Sequence, residues 1–139
     1  MIFLRRLMLA VWAGGLLAVG GLVAPAVFAV LTDRRLAGRV VAELLTRVTL
    51  VSLVFAVLLG FAMVLFDRSD GARRRAVYTL LPGVLLACNE YVVRPTLQLA
   101  RVVSGGNSMV FAVWHSVSAG LYVVATLVVV GLLVVEFRR

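Results

Sequence analysis

One cysteine, Cys88, and one histidine, His115, are all that 139 residues offer of the side chains that most often hold transition metals. A lone thiol excludes an intramolecular disulfide and a thiolate metal cluster, and it says nothing about the redox compartment. Lysine is missing: all fourteen basic residues are arginine, which with the alanine, valine and glycine content fits a GC-rich bacterial genome. Charge is scarce, at 14% of residues, and only six side chains are acidic. Paired carboxylates, a nucleophile beside a base, a phosphate-cradling loop and zinc-ligand spacing are all absent, so the sequence does not read as an enzyme. The net charge of +8 would suit a nucleic acid, but the arginines are scattered at helix ends rather than gathered in a basic, aromatic-interleaved patch. Nucleic acid is therefore not an expected partner. The positive charge reads as membrane topology.

What the chain has in excess is apolar surface. Hydrophobic residues make up 63% of it and the mean hydropathy is +1.12, so a soluble fold would leave large apolar patches in water. About 20 residues cross a hydrocarbon core roughly 30 Å thick. Four runs reach that length, at about 7–31, 48–66, 76–97 and 109–135. The expected architecture is all-α: a single four-span domain over 1–139, an integral membrane four-helix bundle whose principal partner is the lipid bilayer. Arg5 and Arg6 before the first run, and "APA" or "VFA" near its end, resemble a signal peptide. The run is far longer than a usual signal core, so it is expected to stay as a span.

Arginine counts give the orientation. The N-terminus, "DRSDGARRR" and the final "FRR" hold eight, the other two connections six. The balance favours both termini inside, in the inner (cytoplasmic) membrane of a bacterium. Four of the six lie in "TDRRLAGRVVAELLTRV", where Arg35, Arg39, Glu43 and Arg47 recur every four residues beside a stripe of Leu36, Val40, Leu44 and Val48. That periodicity extends the second span by an amphipathic helical segment, either as one long projecting helix or as an interfacial helix bending into the membrane. A solvated face, with Glu43 screened between Arg39 and Arg47, outweighs a partner-docking face.

In the first span Ala10, Gly14, Ala18 and Gly21 fall close to one face, and Gly15 and Gly20 widen the groove. Small residues at this spacing let another helix backbone approach. Pro25 removes a backbone donor and disturbs the Gly21 carbonyl, which predicts a kink. Trp12 is expected to pack inside the bundle.

The third span carries the costliest residues. "CNEYVVRP" puts Cys88, Asn89, Glu90 and Arg94 within two turns of an otherwise lipid-soluble helix. Glu90 and Arg94 are an i, i+4 pair with the acid on the favourable side. Glu90 is fifteenth along its run, and His115 lies about 9 Å in from the start of the next at 1.5 Å per residue, so the two match in depth. Thr49, Ser52, Ser116 and Ser118 converge on that level, whereas the inner halves offer almost nothing that titrates. The reading is an outward polar cluster of Glu90, His115, Arg94, Asn89, Ser118 and Ser52, in which a salt bridge from Glu90 to Arg94, His115 or both outweighs a ligand role. His115 reads more readily as a hydrogen-bonded interior residue than as a ligand, and Cys88 as a small filler. Met109 can join Cys88 and His115 as a soft copper site, though no Met-x-x-Met pair supports it. "SGGNS" at 104–108 reads as a turn.

"RLMLAVWAGGLLAVGGLVAPAVFAVLTDRRLAGRV" resembles the opening of a bacterial four-span family known as domain of unknown function 4149, related to the eukaryotic transmembrane protein 205. The "APxLF"-like turn before an "AG" helix is matched by Ala24, Pro25, Phe28, Ala37 and Gly38, and the "F..xHxxS" start of the last span by Phe111, His115 and Ser118. "WxGG" is similar, more distantly, to the membrane part of the copper resistance protein D family. The first resemblance implies a four-helix bundle with His115 in a recurring motif and no settled activity. It leaves any cofactor unknown. Two functional expectations follow: binding or transport of a small ligand or metal ion, copper being the named candidate, by a chain short enough to need a homodimer; or an accessory or assembly subunit of a larger membrane complex.

Overall fold

The computed structural model describes residues 2–66, 71–104 and 108–138. The expected turn at 105–107 lies outside them. The first span is built from α1 (Ile2–Ala18), a π turn (Val19–Val23) and α2 (Ala24–Val30). The second is the single helix α3 (Arg34–Phe66), and the third is α4 (Ala72–Cys88), a π turn (Asn89–Val93) and α5 (Arg94–Ser104). The fourth is α6 (Met109–Phe137). All four are long and apolar enough to cross a membrane. In hydrocarbon every backbone N–H and C=O must be satisfied within the segment, and this sequence does so by helix alone.

Helix ends are set by local chemistry. Asp33 Oδ1 accepts the N–H of Arg35 at 2.8 Å and of Leu36 at 3.3 Å, starting α3. Ser108 Oγ accepts the Phe111 N–H at 3.1 Å, starting α6. Gly71, with φ of +100°, begins α4 in a conformation that favours glycine. The amphipathic segment is continuous with the second span, so α3 is one 33-residue helix rather than a bent pair. Its polar face carries the expected Arg47–Glu43 pair at 3.0 Å, exposed on both sides.

The two π turns share one cause. Pro25 and Pro95 each stand two residues beyond a π turn, lack an N–H and crowd the carbonyl four residues back. The N–H of Ala24 reaches Val19 O and that of Arg94 reaches Asn89 O, five residues back in each case, so the chain widens by one residue instead of breaking. The expected kink at Pro25 takes this form. The π turns and their prolines sit seventy residues apart, each after a 17-residue α-helix. Spans one and three are thus local echoes of each other.

Neighbours in the ring are α1 with α3, α3 with α4, α4 with α6 and α6 with α1. The core joins Leu9, Trp12 and Leu16 of α1 to Ala56 and Leu59 of α3, Leu86 of α4, and Ala125 and Val129 of α6. Trp12 is buried and stacks on Phe55, with centroids 6.1 Å apart, as expected of a packing residue. Threonines dissolve in this apolar setting by turning back on their own helix: Thr79 donates to Arg75 O at 2.9 Å and Thr126 to Tyr122 O at 2.8 Å.

Two glycines mark close approach. A Cβ on Gly83 would meet the Ala56 Cβ at 2.8 Å, and one on Gly20 would meet the Tyr122 ring at 2.5 Å. The rest of the small-residue face of span one is different: Gly14, Gly15 and Gly21 have no heavy atom within 4 Å of such a Cβ. Leu9, Trp12 and Leu16 turn inward, so Ala10, Gly14 and Gly21 face out of the bundle, with Ala18 half-buried at the margin. Pro25 is exposed with them.

A side chain at Gly83 has nowhere to go, because its first obstacle is an Ala56 Cβ fixed to the backbone. Gly83→Val is expected to destabilise the detergent-purified protein by about 1–3 kcal/mol. Gly14→Ala, placed in open space, should be neutral or stabilising by up to about 1 kcal/mol. Parallel denaturation curves check both, and equal losses would refute the assignment of close packing to Gly83.

Candidate functional site

Two charged centres lie at opposite ends of the bundle. The first is on the π turn of span three. Glu90 forms an ion pair with Arg94 through both carboxylate oxygens, and the two side chains are only 13% and 15% exposed. Across the helix interface, the Thr46 hydroxyl lies 2.9 Å from Glu90 Oε1 and 3.1 Å from the Ala42 carbonyl, and it accepts from Arg94 Nη1. Its single proton goes to one acceptor at a time. The arrangement ties α3 to span three at membrane depth, with each charge compensated where it sits.

Asn89 precedes Glu90 on the same turn and is buried, its Oδ1 without a hydrogen-bond partner among the described residues. Ser52 on α3 is also buried, and its Oγ likewise lacks a partner there. Ser118 is half-buried. His115 is exposed and stacks on Phe111 one turn earlier, with centroids 5.9 Å apart. No hydrogen bond or ion pair joins His115 to Glu90 among the described residues; Glu90 is held by Arg94 and Thr46. Thr46 was not singled out by sequence reasoning. Its signal was present, since Thr46 opens the apolar part of α3 at the depth where Glu90 returns on the neighbouring span.

The expected soft-metal trio stays on the outside. Cys88, His115 and Met109 are all exposed, and among the described residues no three His, Cys, Asp or Glu side chains come together.

The second centre lies where α1 and α4 begin and α6 ends. Glu136 is buried, forms an ion pair with Arg5, and its backbone carbonyl accepts from Arg6 Nη2 at 3.0 Å. Arg6 also lies over the Phe137 ring, 5.2 Å from its centroid. The expectation that this half holds almost nothing titratable therefore fails at Glu136. Sequence reasoning passed over it as part of the C-terminal flank. The available signal was the same as at Glu90, a lone acid closing a long apolar run. Beside it a cavity of about 320 Å³ opens between α4 and α6, with Leu9 and Met63 behind it.

A family model described as Domain of unknown function (DUF4149) matches residues 7–103. The match covers well over half the chain, and the chain belongs to this family. It takes in the first three spans and the Glu90 centre, while Phe111, His115 and Ser118 lie beyond it. No curated protein and no solved structure matches the chain.

Glu90 and Arg94 are each stranded if the other is removed. Glu90→Gln is expected to cost about 3 kcal/mol of stability in detergent, and Arg94→Leu a similar amount. A Glu90→Leu, Arg94→Leu double variant should regain half or more of the summed loss, because no buried charge is left alone. His115→Ala should cost less than about 1 kcal/mol, as expected of an exposed side chain. A double-mutant cycle that couples His115 to Glu90 as strongly as Arg94 would overturn this assignment.

Proposed function

We propose that this chain is a non-catalytic subunit that docks a transmembrane helix of a partner protein against span one, in a multi-pass assembly of the bacterial cytoplasmic membrane. One observation carries the reading: Gly14, Gly15 and Gly21 face outward, with open space where their side chains would be. Glycine in a helix interior costs about 0.5–1 kcal/mol relative to alanine, and lipid tails return nothing for it. Close approach of a second helix does, through backbone packing that larger residues would block. Glu90, Arg94 and Thr46 serve in this reading as the strut that holds span three against α3, and Glu136 with Arg5 as the strut at the other end.

The test is native purification in a mild detergent after cross-linking in the membrane. Wild-type chain should carry a stoichiometric membrane partner; Gly14→Leu with Gly21→Leu should lose it while melting at the same temperature. A chain that is monomeric and alone in both membrane cross-linking and mild detergent refutes the reading. Recovery of a second copy of the chain, and nothing else, replaces assembly with homodimerisation.

The proposed orientation places both termini in the cytoplasm. Eight of the fourteen arginines belong to the two terminal flanks and the connection between spans two and three. Reporter fusions after Gly71 and Arg139 should read cytoplasmic, and one after Gly106 periplasmic. Inverted signals at all three sites would reverse it.

A second reading, binding of a small polar ligand, draws support from Asn89 and Ser52. A buried unpaired amide oxygen costs about 1–3 kcal/mol, so a chain that keeps one in place of leucine has a use for it. Asn89→Leu raising the melting temperature is the result expected of a binding group. A fall would return Asn89 to a structural role.

A further inference from the structure

We propose that the end of the bundle where α1 and α4 begin holds one anionic phospholipid, its phosphate against Arg74 at the N-terminus of α4 and one acyl chain in the cavity between α4 and α6. The cavity has the two-part chemistry that such a molecule needs. Its wall is apolar, from Leu9, Met63, Val128 and Leu132, and its rim carries Arg74, Arg75, Tyr78 and Glu136. A volume of about 320 Å³ lies at the lower end of the range of small-molecule sites, roughly 300–1,000 Å³. That suits part of one chain and excludes a bulky ligand.

Electrostatics select the headgroup. A helix N-terminus carries partial positive charge and favours anions, yet α4 opens with Arg73, Arg74 and Arg75 and has no acid in its first turn. Diagonally across the bundle α1 repeats this, with Arg5 and Arg6 near its start and no acid in its first turn. The glutamate within reach of the cavity, Glu136, is committed to Arg5, which removes its repulsion of an anion. Arg73, Arg74 and Arg75 at the start of α4 outnumber Glu136, the one carboxylate among the described residues that line the cavity, so an excess of positive charge remains with that acid paired. Tyr78, half-exposed on the rim, adds a phenol at the depth where amphipathic rings favour the interface. A phosphate against Arg74 answers the α4 N-terminus and its arginines, and a chain attached to it fills the apolar wall. Free phosphate would meet the first need only.

Binding is read on purified chain by native mass spectrometry and thermal melting, with three probes: phosphatidylglycerol, phosphatidylcholine and sodium phosphate. Wild-type chain should retain one phosphatidylglycerol, hold it at least about tenfold more tightly than phosphatidylcholine, and melt higher with it, as a ligand of the folded state requires. Sodium phosphate at the same concentration should not shift the melt. Arg74→Gln should weaken phosphatidylglycerol about fivefold, the effect of one arginine near a charged surface, whereas Arg47→Gln on the exposed face of α3 should not. Gly131→Leu decides the case if the arginine variant fails to fold. Gly131 lines the cavity and has no atom within 4 Å of a Cβ, so a side chain can start there without a clash, and leucine, reaching on into the cavity, should abolish retention while the chain still folds. Equal weakening by Arg74→Gln and Arg47→Gln, retention unaffected by Gly131→Leu, or a melt shift with sodium phosphate alone would each overturn the proposal.

Discussion

A buried charge must be answered where it sits. In a chain this apolar, that requirement determines how the four spans are tied together, because lipid supplies no hydrogen bonds and no counter-ions. Among the described residues two acids enter the bundle, Glu90 and Glu136, and each is met by arginine. Neither pair is a purely local event. Arg94 and Glu90 share Thr46 with α3, and Glu136 joins the end of α6 to the start of α1. The apolar core between them makes the helices compatible over a range of rotations and shifts; the pairs select one. Polar contacts here supply register more than net stability, since desolvation consumes much of what the Coulomb attraction returns.

Two of the three prolines act on the same framework, while Pro82 sits inside α4 without a π turn. Pro25 and Pro95 would each leave a carbonyl stranded in an ideal α-helix, and both spans answer by widening to a π turn. In span three that turn includes Glu90 and ends just before Arg94, so the distortion forced by Pro95 lies within the ion-paired segment itself. In span one the equivalent turn carries Gly20 and Gly21, and Tyr122 fits against Gly20 while its hydroxyl donates to Leu16 O at 2.7 Å. The two hairpins therefore use one backbone device for different ends: an ion pair in one, an aromatic lock in the other.

Much of the fold was legible because the bilayer reads sequence crudely. Length and apolarity locate a span whatever its neighbours do, so four helices, the continuation of α3 into its arginine-bearing stripe and the i, i+4 pair of Glu90 with Arg94 were accessible from spacing alone. Matching the depths of Glu90 and His115 was a weaker inference, because depth fixes one coordinate and leaves rotation about the helix axis free. His115 is exposed and stacks beside Phe111. The small-residue face was incomplete in a related way: periodicity shows that Ala10, Gly14 and Gly21 lie together, not which side of the bundle they are on. Trp12 and Leu16 settle that, and only by packing. Glu136 escaped notice because a lone acid next to terminal arginines looks like a solvated flank until the start of α1 is brought beside it.

Each end of the bundle joins a buried acid to an arginine and leaves further arginines over. At the Glu90 end the acid, its arginine and a threonine satisfy one another. At the Glu136 end that acid is paired with Arg5, and Arg73, Arg74 and Arg75 stand at the start of α4, whose N-terminus adds positive potential of its own. Excess charge of one sign at a helix terminus is tolerated only where an outside anion or high-dielectric solvent disperses it. A membrane surface is available to the ends of the molecule and not to its middle. In the proposed reading the arginines at the start of α4 meet lipid headgroups, and the open glycine face of span one is the side on which another helix approaches.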